Sequence, residues 1–290
     1  MAGTHADNES MFSMSKRRVG MVNIMKRFDL SGRTAIVTGA GRGIGRGIAL
    51  ALSEAGASVV AAARTEEEIQ NTAGLICKKN GDAIAVSTDV NREEDLDNLI
   101  QKTLERYGRI DILVNNAGGS LPTLMLYTTK ESFEEAFSFN VSSAFELSKK
   151  CLIPMLRNDS GGVVLNISSA VSHVMDSGFI AYGTAKAALN QMTRLMACEF
   201  APRVRANAIA VGAVETDALN LVLSDETLRQ KMMDLTPMAR LGSPADIAAA
   251  ALFLASDASS WVTGKVFEID GGTETTNWPM KFSAFDNLPE

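Results

Sequence analysis

The sequence predicts an α/β fold: one doubly wound, seven-stranded parallel sheet in a single domain, with a small helical substrate lid. Three observations carry this. From Arg33 onward, short apolar runs alternate with stretches of helical periodicity. Most of the runs are β-branched and continuous rather than alternating with polar residues, as expected for strands covered on both faces. The first run passes into the first helical stretch through AIVTGAGRGIGRGIA (35–49), where glycine takes every second position from Gly39 to Gly47.

The expected strands are TAIVT (34–38), SVVAA (58–62), AIAVS (83–87), IDILV (110–114), GVVLNI (162–167), RVRANAI (203–209) and VFEI (266–269). Between them, helices are expected over 44–55, 93–107, 133–156, 182–200 and 244–255. Gly56 supplies the stop signal of the first helix. Glu66, Glu67 and Glu68 read as a solvated first helical turn, favoured by the dipole. Ser243 followed by Pro244 opens the last helix, proline being tolerated in a first turn that needs no N–H. Strand–helix alternation with right-handed crossovers yields one parallel sheet. Residues 215–240 interrupt this rhythm and read as an inserted lid, with Leu219, Leu221, Val222, Leu223, Leu228 and Met232 as apolar material. The domain is taken as 29–275, with a C-terminal tail at 276–290.

Residues 1–28 stand apart. The first ten are polar, and 11–28 carry five basic residues and no acid. This reads as a mobile extension, or as sequence ahead of an internal start at Met11, Met14, Met21 or Met25. Organelle targeting is the alternative, against which Asp7 and Glu9 count.

The composition excludes several classes. The chain has 290 residues, 46% of them apolar, and a net charge of −6 with both signs interspersed. That is no surface for nucleic acid or an anionic membrane. Cys77, Cys151 and Cys198 have no metal-ligand or disulfide spacing, so no metal site is expected and a reducing compartment, the cytoplasm, is. No apolar run approaches the roughly 18 residues of a membrane span.

The glycine-rich turn lies where strand carboxyl ends meet helix amino ends, the place at which such sheets bind ligands. Free N–H groups and the helix dipole there favour an anion, and glycine lets a pyrophosphate approach without a Cβ in the way. A tight turn for packing is the plainer reading; the first-strand position favours the phosphate site.

Other motifs join it. Thr38-Gly39-Ala40-Gly41-Arg42-Gly43-Ile44-Gly45 is TGxxxGxG. Asn115-Asn116-Ala117-Gly118 follows the fourth strand, and Tyr182–Lys186 is YxxxK, with Ser169 thirteen residues before the tyrosine. Together these resemble the short-chain dehydrogenase/reductase family over about residues 29–275. Asn115–Gly119, Thr216–Leu219, Thr236–Pro237 and ALFLASDASSWVTG (251–264) are similar to segments of bacterial 7α-type hydroxysteroid dehydrogenases. Similar segments also occur in 3-oxoacyl-(acyl-carrier-protein) reductases.

The resemblance implies a Rossmann-like sheet and a nicotinamide cofactor. Gly39, Gly43, Ile44 and Gly45 would meet its pyrophosphate, and Asp89 and Val90 its adenine. Asn116, Ala117, Gly118, Val214 and Thr216 would line the rest of its site. Asn140, Ser169, Tyr182 and Lys186 would be the catalytic set, with Asn140 supporting a water chain and Lys186 also holding the nicotinamide ribose. Ser169, Val174 and Tyr182 would face the substrate. A homotetramer is also implied. One departure stands out: Val211-Gly212 replaces the family's Pro-Gly, which predicts a less rigid loop after the sixth strand.

Tyr182 and Lys186 are i and i+4 on one helix, hence on one face. An ammonium beside a phenol lowers its pKa from about 10 toward 7, with help from a positive nicotinamide. Tyr182 would then be the general acid in carbonyl reduction and the general base in alcohol oxidation. A Tyr–Lys contact on a helix surface is the ordinary alternative. Ser168 is the weaker candidate beside Ser169, and His173 without a G-x-S-x-G elbow does not make a hydrolase. The second strand ends at Ala63-Arg64, where NAD-dependent relatives carry an acid. Arg42 and Arg64 therefore predict NADP(H), with NAD(H) as the alternative, although Glu66 is within sequence reach of a ribose. The expected activity interconverts a secondary alcohol and a ketone, bulky and apolar. A 3-oxoacyl thioester reductase is the enzymatic alternative, and a non-catalytic nucleotide-binding scaffold the alternative of another class.

Overall fold

A computed structural model describes residues 23–280; the readings made on 1–22 and 281–290 lie outside the described residues. The strands are Thr34–Thr38 (β1), Ser58–Ala63 (β2), Ala83–Ser87 (β3), Ile112–Asn115 (β4), Gly162–Ser169 (β5), Val204–Val211 (β6) and Val266–Ile269 (β7). They form one parallel sheet in the order β3-β2-β1-β4-β5-β6-β7. The helices are Gly43–Glu54 (α1), Glu66–Lys78 (α2), Glu93–Tyr107 (α3), Lys130–Phe137 (α4), Ser143–Arg157 (α5), Ile180–Phe200 (α6), Asn220–Leu223 (α7), Glu226–Asp234 (α8) and Pro244–Ala255 (α9).

Side chains of successive strand residues go to opposite faces. Ala35, Val37, Val59, Ala61, Ile112 and Val114 pack with Ile48 and Leu52 of α1, Ile69 of α2 and Ile247 of α9. Ile36, Val60, Ala62, Leu113 and Val164 go the other way, to Leu96 of α3, Leu147 and Cys151 of α5 and Met196 of α6. Burying one such aliphatic side chain fully is worth about 1.5–3 kcal/mol. The strand order reverses between β1 and β4, which opens a crevice at their carboxyl ends.

Two boundaries differ from the sequence reading in ways that matter for the site. β5 and β6 each run two residues further than expected, so Ser169 and Val211 are paired at the sheet's end. The helix expected over 133–156 is broken by a π-helical turn at Ser138–Ser142. Hydrophobic periodicity does not register one extra residue in a turn, and such turns recur at functional sites.

The loop after β6 is well tied, contrary to the expectation drawn from Val211. Val211 pairs with Ser169 and Ile269. Gly212 N–H donates to Ile269 O (3.1 Å), Gly242 N–H to Ala213 O (2.9 Å) and Glu215 N–H to Gly242 O (2.9 Å). Hydrogen bonds to neighbouring chain supply the constraint a proline ring would have given.

α9 supports α1 from behind: a Cβ on Gly47 would stand 3.1 Å from Pro244 Cβ. It starts with a capping box in which Asp246 N–H donates to Ser243 Oγ (3.3 Å) and Ser243 N–H to Asp246 Oδ2 (2.7 Å). Arg240 grips the same carboxylate with two bonds of 2.9 Å. Hydrogen bonds from Arg240 and Ser243 hold the Asp246 carboxyl well below the usual carboxylate range. A lowered folded pKa means stabilisation that is complete above about pH 4, the unfolded value, and is lost as pH falls through the folded one. Asp246→Asn is therefore expected to lower stability by about 1 kcal/mol at pH 7 in urea unfolding. The gap to wild type should narrow below pH 4; a gap undiminished at pH 3 would exclude the charge as its source.

Candidate active site

Gly39 (φ 62°) and Gly43 (φ 52°) take left-handed backbone conformations that favour glycine. Gly45 needs glycine for space: a Cβ there would lie 2.2 Å from Gly39 O and 2.5 Å from Asn116 Nδ2. The turn is fastened to β4 by Thr38, whose Oγ1 accepts from the N–H groups of Asn116 and Ala117, both at 3.0 Å. Asn116 Nδ2 returns a bond to Thr38 O (2.9 Å). Arg42 sits at the N-cap of α1 without a side-chain capping bond. The first-turn N–H groups of Gly43, Ile44 and Gly45 have no helical acceptor, and these residues line a cavity of about 680 Å³. Gly41 and Gly47 are small for packing, against Glu68 and Pro244.

At the ends of β2 and β3 the same cavity is lined by Ala63, Arg64, Glu68, Asp89 and Val90. Arg42 lines the same cavity and pairs with Asp217 of the lid at 2.9 Å, both side chains more than half exposed. Glu66 is not among the lining residues; Glu68 is.

The deep end of the cavity holds Ser169, Tyr182 and Lys186. Lys186 is buried, donates from Nζ to Ile167 O (2.8 Å), and lies 5.6 Å from the centroid of the Tyr182 ring. Burial pulls the Lys186 ammonium down to about 7. Burial also pushes the Tyr182 phenol up from its ordinary value, only partly offset by its hydrogen bond with Ser169. The expected lowering toward 7 drew on the nicotinamide's positive charge as well as on Lys186, and the protein without cofactor has only the second. Desolvation outweighs the neighbours, and a further positive charge is needed to bring it down. Ser168 is distinguished from Ser169 here, its Oγ donating to Lys186 O (3.3 Å).

Every predicted site residue lines this cavity except Asn140, which is buried behind the wall. Its Oδ1 accepts from Gly119 N–H (2.9 Å), and its Nδ2 donates to Gly119 O (3.0 Å) and Ala136 O (2.8 Å). The π-helical turn aims this amide at the loop that follows Ala117. A Cβ on Gly118 would strike Asn140 Oδ1 (2.6 Å) and Lys186 Nζ (3.0 Å), so the contact demands glycine. Val174 stands on the wall as expected; His173 is turned toward Glu268 of β7, 3.7 Å away.

The outer wall was partly invisible in the sequence. Met232 and Leu219 of the lid line it, but so do Phe179, Asp176, Thr276, Asn277 and Trp278. Residues 276–280 fall in the stretch read as a tail, yet they pack on the lid. Trp278 and Met280 join the cluster of Val222, Met232 and Leu241, Asn277 Nδ2 donates to Thr236 Oγ1 (2.9 Å), and Lys231 Nζ donates to Pro279 O (2.8 Å). The apolar Trp-Pro-Met run after the polar stretch 273–277 was the available signal.

A family model described as Enoyl-(Acyl carrier protein) reductase matches residues 39–274. An uncharacterized oxidoreductase of Mycobacterium tuberculosis is 44% identical over 254 residues, 88% of this chain and 97% of that protein. The 7α-hydroxysteroid dehydrogenase of Escherichia coli K12 is 40% identical over 244 residues, 84% of this chain and 94% of that one. A solved 7α-hydroxysteroid dehydrogenase in complex with NADH and 7-oxo glycochenodeoxycholic acid superposes with a TM-score of 0.82 at 39% identity, covering 86% of this chain and 97% of that one. With the seven-stranded sheet, the glycine turn and the Tyr–Lys pair on one cavity, the chain belongs to the short-chain dehydrogenase/reductase family and is an NAD(P)-dependent oxidoreductase of alcohol–ketone pairs.

Proposed function

We propose that the protein interconverts bulky, mainly apolar secondary alcohols and ketones with NADP(H), as a cytoplasmic homotetramer. The carrying observation is the cavity itself. Ser169, Tyr182 and Lys186 line it together with apolar side chains: Leu219 and Met232 of the lid, Phe179 just before α6, and Trp278 among the last described residues. Burial there is worth roughly 25 cal/mol per Å² of apolar surface. Exposed Phe145, Ile153 and Leu195 on α5 and α6 support self-association. No helix among the described residues is long and apolar enough to cross a membrane.

The donor set fits a pyridine dinucleotide. Free N–H groups at the start of α1 suit a pyrophosphate, Arg42 and Arg64 suit a ribose phosphate, and Asp89 and Val90 suit the adenine. When bound, the nicotinamide supplies or accepts hydride. Ser169 Oγ holds the substrate oxygen beside the phenol. In reduction Tyr182 gives its proton to that oxygen as negative charge develops there; in oxidation it takes the proton back. Lys186, held by Ile167 O, lies beside the ring face and, when protonated, favours phenolate. Asn140 acts as a positioning residue, bracing Gly118 and Gly119.

The test is steady-state turnover with NADPH and NADH on oxo-steroids, cyclic ketones, acetoacetyl thioesters and short ketoacids. Bulky neutral ketones are expected to give the highest kcat/KM. Activity confined to small, charged ketoacids, or to the thioesters, would overturn the reading.

A further inference from the structure

Asp176 is the carboxylate of the outer wall. It is half-buried, lines the cavity and follows Val174 in the loop between β5 and α6. Its Oδ2 accepts from Thr276 Oγ1, across to the chain's last described segment. Thr276 Oγ1 in turn accepts from Trp278 N–H (3.1 Å). The Trp278 indole meets Phe179 edge-on at 5.3 Å between ring centroids. Asp176, Thr276, Trp278 and Phe179 thus form one patch of wall, contributed half by that loop and half by the chain's end.

Two groups in this patch are not fully provided for. No lysine or arginine among the described residues exerts its charge on Asp176, and burial pushes its carboxyl above the ordinary value despite hydrogen bonds from Thr276 and Ser177. The indole Nε1–H of Trp278 is buried and meets no acceptor among the described residues. A buried donor without a partner is costly, and a half-buried carboxylate without a counter-charge is too. An uncharged hydroxyl in the cavity can give its proton to the Asp176 carboxylate. A second carboxylate has no proton to give and would face Asp176 at close quarters, and like charges side by side in a half-buried site are disfavoured.

We propose that Asp176, on the wall that Thr276 and Trp278 complete, selects the far end of the substrate: a ketone that carries a neutral hydroxyl remote from its carbonyl is accepted, and one that ends in a carboxylate is rejected. This rests on the reading of the cavity as a ketone site and narrows its substrate class. Thr276 is a positioning residue, holding the loop and the chain's end together around the carboxylate.

The test uses a 7-oxo bile acid and its C24 alcohol, which share a ring system and differ in the terminal group. The chain has two tryptophans, and Trp261 is fully exposed; in a Trp261→Phe background the fluorescence of Trp278 reports binding without requiring turnover. The alcohol is expected to bind at least tenfold more tightly than the acid at pH 7.5. Asp176→Asn is expected to bring the two dissociation constants within about threefold of each other. The ratio for the unmodified wall is read first, so the test survives a variant that folds poorly. Equal binding, tighter binding of the acid, binding of neither, or a ratio that Asp176→Asn leaves in place would overturn the proposal. Turnover with NADPH, followed in parallel, separates the two readings. Ketone reduction without discrimination removes the selector and leaves the ketoreductase. Discrimination without reduction of any ketone removes the ketoreductase.

Discussion

The Tyr182→Phe protein is expected to fold, to bind its nucleotide and to reduce ketones about 10²–10⁴-fold more slowly than wild type. The substitution keeps the ring that lies 5.6 Å from Lys186 Nζ and removes only the hydroxyl. Its loss costs the hydrogen bond with Ser169 and the one acid at the deep end that can meet a substrate oxygen with a proton. Lys186 lies behind the ring face, with its Nζ donating to Ile167 O (2.8 Å). The drop should lie in kcat more than in KM, because a proton passed in the transition state contributes little to ground-state binding. In wild type the limb of the pH–rate profile that belongs to the phenol should sit lower with oxidised cofactor bound than in the protein by itself. Burial raises the phenol in the free site, and the cofactor's positive charge opposes that. Turnover within threefold of wild type would remove Tyr182 from its role.

Preference for NADPH over NADH, by roughly ten- to a hundredfold in kcat/KM for each arginine engaged, is the second large effect expected. Arg42 and Arg64 flank the corner where β2 ends at Ala63. A 2′-phosphate there brings about two negative charges, which a guanidinium grips bidentately. Arg42 is held by Asp217 only across a solvent-exposed pair, a kind of contact worth about 0–1 kcal/mol, so it is free to exchange partners. Glu68 opposes the effect: its Oε2 would stand 2.6 Å from a Cβ on Gly41, at the edge of the same corner. Arg42→Ala and Arg64→Ala should each erode the preference, and Ala63→Asp should turn it toward NADH. Equal kcat/KM for the two cofactors in the unmodified protein, or a preference for NADH, would sink the assignment of both arginines.

The five inner strands were legible because they are buried on both faces and read as largely apolar runs; β3 and β7, at the sheet's edges, are only partly buried but keep the same short β-branched pattern. The glycine turn was legible because its conformations are accessible to little else: Gly39 and Gly43 by dihedral, Gly45 by space. The Tyr–Lys pair was legible from helical spacing. What stayed hidden depends on contacts between segments far apart in the chain. Asp176 is one polar loop residue among several until Thr276, one hundred positions later, closes on it. Trp278 reads as part of a tail until it packs with Val222 and Met232. The rigidity of the loop after Val211 comes from Gly242 and Ile269, which no local pattern around Val211 announces. The phenol's raised pKa follows from burial, a property of the whole cavity.

The π-helical turn at Ser138–Ser142 has a consequence for length. Each residue of an α-helix advances its neighbours by about 100°, so one residue more than the α-repeat is a shift of phase as well as of distance. Upstream, α4 buries Ala136; downstream, α5 buries Leu147, Cys151, Leu152 and Met155 against the sheet. Removing a single residue from the turn would restore a uniform helix and rotate one of these faces out of the core, or else carry Asn140 away from Gly119. The stretch from Lys130 to Arg157 therefore tolerates substitution far better than it tolerates a change in count, and in this part of the chain a one-residue deletion is a more severe lesion than the loss of any exposed side chain.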